Sequence, residues 1–209
     1  MPVQEEIEVK FWLDNPQRAR DAIRRIGGTF EGAHSEDNIR LDDSSASLKA
    51  RGLVLRVRHI RQEGKEPRYL LTVKQNVTGS DADLSRRKEF ETEVADGPAL
   101  LAALATLGYG QSWRYEKRRE TYRLESVIAD IDELPFGWFL ELEGPADAIR
   151  DTAAKLGFKM RDGLMISYAQ LFDRVKRAYG LTMQDLTFEA FEGHEVDAKV
   201  FRAGDTNTG

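Results

Sequence analysis

The feature that most constrains the fold is an alternation of charged and apolar residues that recurs along the chain. It first appears in Glu6-Ile7-Glu8-Val9-Lys10-Phe11. Because successive side chains of a β-strand point to opposite faces, this pattern predicts a strand with one ionic and one apolar face. Carboxylates two positions apart on such a strand lie roughly 6.5–7 Å from each other, close enough to share a metal ion.

A short unit that begins with a Glu-x-Glu strand occurs three times. In the first copy, Asp14-Asn15-Pro16 starts a helix that stops at Gly27-Gly28. The second copy begins at Glu89-Phe90-Glu91 and the third at Glu141-Leu142-Glu143. We interpret the first two copies as related halves of one sheet system that the third acidic strand closes.

Strands of basic character fill the intervals between these units. We predict them over residues 53–58, 69–74, 115–124 and 127–131, whereas residues 29–50 show mixed character. A helix is predicted over Tyr168–Tyr179 and a further short helix within 181–192. We therefore expect a single domain over residues 1–196, including these C-terminal helices, and a disordered tail from 197 to 209.

Nearly every predicted strand has one apolar face and one ionic face, and two architectures satisfy this pattern. In one, helices cover the apolar face of an open sheet and water covers the charged face. In the other, the sheet closes into a tunnel with helices outside and charges lining the lumen. Enclosed charges persist only where water, metal or a charged ligand completes them. Carboxylates suit Mg²⁺ or Mn²⁺, and Arg and Lys suit phosphate oxygens, so a tunnel would fit a metal-bound polyphosphate.

Composition excludes several other classes of protein. The 209 residues carry a formal net charge of -5, which disfavours nucleic-acid binding. The chain has no cysteine and therefore no thiolate metal site or cysteine nucleophile, and its histidines, His34, His59 and His194, have no zinc-site spacing. No apolar run reaches membrane-spanning length and no secretory signal is evident, so we expect a cytoplasmic protein without a membrane partner.

The order of these motifs resembles that of the CYTH superfamily, the triphosphate tunnel metalloenzymes. Glu6-x-Glu8-x-Lys10 resembles its N-terminal signature. The later strands resemble its basic and acidic strands in turn: Leu55-Arg56-Val57-Arg58, Thr72-Val73-Lys74, Arg87-x-Glu89-x-Glu91, Lys117-Arg118-Arg119, Asp132-Glu133-Leu134-Pro135-Phe136-Gly137 and Glu141-Leu142-Glu143. The resemblance implies an α+β fold, an antiparallel eight-stranded closed tunnel with helices packed outside.

The resemblance also implies the residues of the site. The metal, Mg²⁺ or Mn²⁺ and two ions in number, would be held by acids: Glu6, Glu8, Glu89, Glu91, Glu141 and Glu143, with Asp130 or Asp132. Alternation places both aspartates on one face and does not choose between them. The triphosphate would be bound by basic residues: Lys10, Arg56, Arg58, Lys74, Arg87, Lys117 and Arg119. Catalysis would rest on Glu6, Glu8, Lys10, Asp130 and Asp132.

Hydrolysis of inorganic tripolyphosphate or of an organic triphosphate, thiamine triphosphate included, is the predicted activity. A class IV adenylyl cyclase is the alternative, because the same lining serves both reactions. The stretch His34 to Asp43 lies where family cyclases carry substrate-side residues, and it lacks the aromatic pair often seen there. A non-catalytic polyphosphate-binding or nucleotide-binding module is a further alternative. Both a monomer and a homodimer fit the sequence.

Overall fold

The architecture is an antiparallel sheet that closes on itself. The computed structural model describes residues 4–77 and 83–201. Within them the strands are β1 (Gln4–Leu13), β2 (Thr29–Asp42), β3 (Leu53–Arg61), β4 (Arg68–Asn76), β5 (Ser85–Val94), β6 (Gly110–Leu124), β7 (Val127–Leu134) and β8 (Gly137–Glu143). The helices are α1 (Pro16–Arg25), α2 (Ser47–Ala50), α3 (Gly97–Thr106), α4 (Ala146–Lys155) and α5 (Tyr168–Tyr179), with 3-10 turns at Met160–Asp162 and Ala198–Phe201.

The ring of strands runs in the order β1-β5-β4-β3-β2-β6-β7-β8 and returns to β1. β1 closes it by pairing with β5 over residues 4–8 and with β8 over residues 8–13. This closure confirms the predicted tunnel over the open sheet. No helix in the described part of the chain is long and apolar enough to span a membrane.

The order of strands separates the two signs of charge. The three Glu-x-Glu strands are neighbours in the sheet, in the order β5-β1-β8. The next strand after β8 is β7, which carries two aspartates. The paired-arginine strand, the lysine strand and the Lys-x-Arg strand lie on the remaining arc, β4-β3-β2-β6. Strands distant in sequence therefore form one mainly acidic wall and one mainly basic wall.

The apolar faces of the acidic strands pack against helices outside the tunnel. Asn15 caps α1 by accepting a hydrogen bond from the Arg18 backbone N–H at 3.2 Å, and Pro16 occupies the first turn. The side chains of Val9, Ile23 and Ile149 are all fully buried in this cluster. Burial of each side chain of this size stabilises the fold by about 1.5–3 kcal/mol.

A second apolar cluster closes one end of the tunnel. Leu171, Phe172 and Val175 of α5 are buried there with Phe136 of the β7–β8 turn. The backbone is tight at this turn: a Cβ on Gly137 would lie 2.2 Å from the ring of Trp12, and its φ of +144° suits glycine. The end of the tunnel is therefore filled by aromatic side chains.

Three regions differ from the sequence-based description. Residues 29–50, of mixed character in sequence, contain the long strand β2, whose irregular pairing with β6 near Gly32 and Leu41 interrupts simple alternation. Residues 181–192 form turns rather than a helix, because Leu186 is buried and its backbone pairs with β6. The predicted tail begins with the Ala198–Phe201 turn, and Phe201 is buried. Residues 202–209 of the predicted tail lie outside the described part of the chain.

Candidate active site

The tunnel encloses a cavity of about 790 Å³ whose walls are dominated by charged side chains. Cross-strand pairs place these side chains on one face, as in Glu6 opposite Arg87 and Lys10 opposite Glu141. Nearly every predicted site residue lines the cavity: Glu6, Glu8, Lys10, Arg56, Arg58, Lys74, Arg87, Glu89, Glu91, Lys117, Arg119, Glu141 and Glu143. Asp130 and Asp132 do not line this cavity.

A carboxylate cluster occupies the acidic wall. One oxygen from each of Glu6, Glu8 and Glu141 lies within 4.8 Å of the others, and all three residues are buried. Glu143 stands opposite Glu8 in the ladder. Burial, together with the charges of Glu6 and Glu141, raises the pKa of Glu143 from 4.5 to about 8. This donor set fits a divalent cation, because hard cations take carboxylate oxygens and would relieve the repulsion.

Two lysines partly neutralise this cluster. The Lys10 ammonium donates to Glu8 Oε1 at 2.6 Å and lies 3.4 Å from Glu141 Oε2. Burial acts to lower the pKa of Lys10, but the carboxylates of Glu141 and Glu8 outweigh it and raise that pKa above its ordinary value. Lys74 donates to both oxygens of Glu6 at 2.7 Å. Each lysine is thus a cation held next to the acids.

Two arginines on the basic wall, Arg40 and Arg56, have no carboxylate within 3.5 Å among the described residues. The Arg56 guanidinium donates to the Tyr115 hydroxyl at 3.1 Å and to Thr72 Oγ1 at 3.3 Å, while its buried Nε has no hydrogen-bond partner. Within the described residues Arg40 forms no salt bridge, and burial and the like charges of Arg56 and Arg87 lower its pKa. A surplus of buried positive charge with an unsatisfied N–H fits an anion that offers several oxygens.

A compact ion network joins two cations of the cavity wall to the aspartates of β7. The Arg119 guanidinium contacts Asp130 and both oxygens of Asp132, each at 2.6 Å. Lys117 contacts Asp132 at 3.1 Å and Glu36 at 3.5 Å. Asp132 is therefore neutralised from two sides. Asp130 pairs with Glu141 across the ladder and therefore lies next to the carboxylate cluster. Burial raises the pKa of Asp130.

The comparison with known sequences agrees with this arrangement. The profile of the CYTH domain matches residues 4–179. The chain belongs to the CYTH domain family. Among curated proteins, a "putative adenylate cyclase" of Methanocaldococcus jannaschii is 25% identical over 141 residues, which cover 66% of this chain and 75% of that protein.

Solved structures share the tunnel of this CYTH domain. A protein of Pyrococcus horikoshii is 26% identical with a TM-score of 0.67, over 79% of this chain and 98% of its own. A "putative adenylate cyclase" of Vibrio parahaemolyticus is 19% identical with a TM-score of 0.70, over 82% and 99%. A Hippeastrum protein described as a putative adenylyl cyclase with dominant triphosphatase activity is 18% identical with a TM-score of 0.62, over 90% and 100%.

In this CYTH domain the central acidic strand, β5, lies between β1 and the lysine strand β4. Glu89 lies 3.0 Å from the Lys74 ammonium, and Glu91 accepts a hydrogen bond from the Thr72 hydroxyl at 2.8 Å. Both carboxylates also lie 3.9 Å from Arg56. They line the cavity as counter-ions of the basic wall, outside the Glu6–Glu8–Glu141 cluster, because β5 borders the lysine strand.

Three residues on the lumen side of this CYTH domain were not predicted from the sequence. Glu36 and Arg40 sit on the lumen side of β2, where the alternation Glu36-x-Asn38-x-Arg40 was the available signal. Tyr168, the first residue of α5, lines the cavity from outside the sheet, and no strand pattern could have indicated it. His34, which has no zinc-site spacing in the sequence, contacts Glu36 at 3.1 Å.

Proposed function

We propose that this CYTH domain is a divalent-metal-dependent hydrolase of a triphosphate. The observation that carries the proposal is the opposition of the Glu6–Glu8–Glu141 cluster and the arginines Arg40 and Arg56 within one enclosed cavity. A triphosphate bound to a divalent ion has matching parts, since the ion requires oxygen ligands and the phosphates require cationic donors. A neutral ligand would satisfy neither the clustered carboxylates nor the unpaired N–H of Arg56.

The residues of the chain would act mainly by positioning. Phosphoryl transfer needs little covalent help from the protein and depends on alignment and charge stabilisation. Arg40 and Arg56 would bind non-bridging oxygens from the basic side, and Arg87, Lys74 and Lys10 would donate from beside the acids. Direct attack by water would need no cysteine nucleophile, and the chain has no cysteine.

Glu6, Glu8 and Glu141 would hold the metal, with Glu143 joining them once it loses its proton. A bound Mg²⁺ or Mn²⁺ supplies charge neutralisation at the phosphates and acidifies water. Asp130 would support this cluster from its position opposite Glu141, whereas Asp132 would act as the counter-ion of Lys117 and Arg119. Arg58 is held by Glu36 at 3.2 Å on the lumen side of β3.

A class IV adenylyl cyclase is the second candidate, because relatives from Methanocaldococcus jannaschii and Vibrio parahaemolyticus bear that name. The Hippeastrum protein, described by its dominant triphosphatase activity, favours the hydrolase. In a cyclase the 3'-hydroxyl of ATP attacks and pyrophosphate leaves, so the two reactions differ in their products.

The test measures products from tripolyphosphate and from ATP with Mg²⁺ or Mn²⁺. Orthophosphate without cyclic AMP supports the hydrolase, and cyclic AMP with pyrophosphate supports the cyclase instead. Thermal stabilisation by tripolyphosphate without turnover would indicate a binding module. Glu5→Gln is a matched control for Glu8→Gln, because Glu5 is on the same strand, outside the lumen, and half exposed.

A further inference from the structure

Tyr168 brings a phenol into the lumen from outside the sheet. It is the first residue of α5, it is 7% exposed, and it lines the cavity. Its hydroxyl lies 2.8 Å from Asp132 Oδ2 and 3.3 Å from Glu141 Oε2. A neutral phenol carries one proton to donate, and here two carboxylates compete for it.

The ring of Tyr168 also lies close to two lysines of the lumen. The Lys10 ammonium lies 5.4 Å and the Lys117 ammonium 5.7 Å from the ring centroid, a distance at which cations are attracted to an aromatic face. Lys10 belongs to the carboxylate cluster, and Lys117 belongs to the ion network with Asp132. Tyr168 lines the cavity and Asp132 does not, so the hydroxyl connects Glu141 of the cavity wall to the buried Asp132.

The backbone of Tyr168 is fixed from both sides. Ser167 caps α5 in a capping box with Gln170. Beyond residue 179, where the match to the CYTH domain ends, the chain continues along β6, and Leu186 exchanges two backbone hydrogen bonds of 2.9 Å with Arg114 and Glu116. Phe191 from this continuation packs against α5 in the second apolar cluster. The position of the hydroxyl is therefore set by structure outside the tunnel.

We propose that Tyr168 is a positioning residue that holds the Glu141 carboxylate beside Glu6 and Glu8, so that the metal meets a preformed site. The proposal rests on the proposed function, because it assumes that these carboxylates bind the ion. Hydrogen-bond partners of metal ligands commonly change metal affinity by about 10–100-fold when removed. Glu141 retains Lys10 and Arg119 as partners, so the lower end of that range applies.

The test uses the full chain with Tyr168→Phe, which keeps the ring and removes the hydroxyl. The measurement is the Kd for Mn²⁺ alone, taken from the free-ion signal in electron paramagnetic resonance. We expect binding about 10-fold weaker than in the parent protein. Tyr109→Phe is the matched control and should bind Mn²⁺ like the parent, since the Tyr109 hydroxyl has no hydrogen bond within the described residues.

A second control separates positioning from stability. Val175→Ala weakens the packing of α5 without touching a lumen group, and it should lower the unfolding temperature while leaving the Kd for Mn²⁺ unchanged. If Tyr168→Phe does not fold, 3-fluorotyrosine placed at residue 168 serves instead, and Mg²⁺ should shift its fluorine resonance. An unchanged Kd in Tyr168→Phe, or an unmoved resonance, overturns this role. Failure of the parent to bind Mn²⁺ overturns the metal-dependent function, and this role with it.

Discussion

Glu143 gives the sharpest prediction, because its pKa connects the carboxylate cluster to folding stability. Burial and the charges of Glu6 and Glu141 raise the pKa from 4.5 to about 8 in the folded protein. Below pH 4.5 the group is protonated in both states and does not affect stability. As the pH rises toward 8, the unfolded chain loses this proton and the folded protein keeps it, so stability falls. Above pH 8 the full penalty is present.

Glu143→Gln removes this penalty, because glutamine resembles the protonated acid. The pKa shift sets an upper limit of about 5 kcal/mol, at about 1.4 kcal/mol per pKa unit. Glu143 is only partly buried, and solvent screening reduces the expected gain to about 2–3 kcal/mol. Without metal, the variant should therefore be more stable than the parent at about pH 8.5 and equal to it at about pH 4.

The assay is urea unfolding of both proteins in EDTA across this pH range. Glu5→Gln is the control for loss of a carboxylate from the same ring of strands, because Glu5 is half exposed outside the lumen. Added Mn²⁺ should stabilise the parent more than Glu143→Gln, since the carboxylate is a proposed ligand. A difference between Glu143→Gln and the parent that does not change with pH would refute the reasoning.

Three further substitutions test the two walls and the ion network. Glu8→Gln should abolish metal-dependent turnover and keep the fold, measured as phosphate release and circular dichroism; an unchanged rate would refute its role. Arg56→Ala should raise KM for a triphosphate about 100-fold. It removes two charge-assisted hydrogen bonds that contribute about 1.5–3 kcal/mol each, and neighbouring cations compensate for part of this loss. Unchanged kinetics would show that Arg56 does not contact the substrate. Glu36→Gln should cost about 3–5 kcal/mol in urea unfolding, because it leaves Arg58 and Lys117 short of a buried counter-charge; a loss below 1 kcal/mol would contradict this account.

Local sequence patterns were sufficient for most of the strands and for α5. The alternation in residues 6–11 identifies β1 because side-chain direction in a strand depends only on position parity. The capping residue Asn15 identifies the start of α1 for a similarly local reason, and the helical spacing of apolar residues identifies α5. β2 was missed because irregular pairing interrupts its alternation, and the C-terminal turns were missed because their backbone bonds go to β6.

The candidate site likewise has features that the sequence predicted and features that only the tertiary structure showed. The sequence determined which side chains share a strand face, and with the motif order it indicated a charged lumen that binds metal and triphosphate. Only the tertiary structure showed that an oxygen of Glu141 lies within 4.8 Å of Glu6 and Glu8, that Glu89 and Glu91 lie 3.9 Å from Arg56, and that Tyr168 enters from α5. The face to which a strand residue points depends only on its position within the strand, which is a local property. The neighbours of a strand in a closed sheet depend on pairing between residues far apart in the chain, such as Glu8 and Glu143.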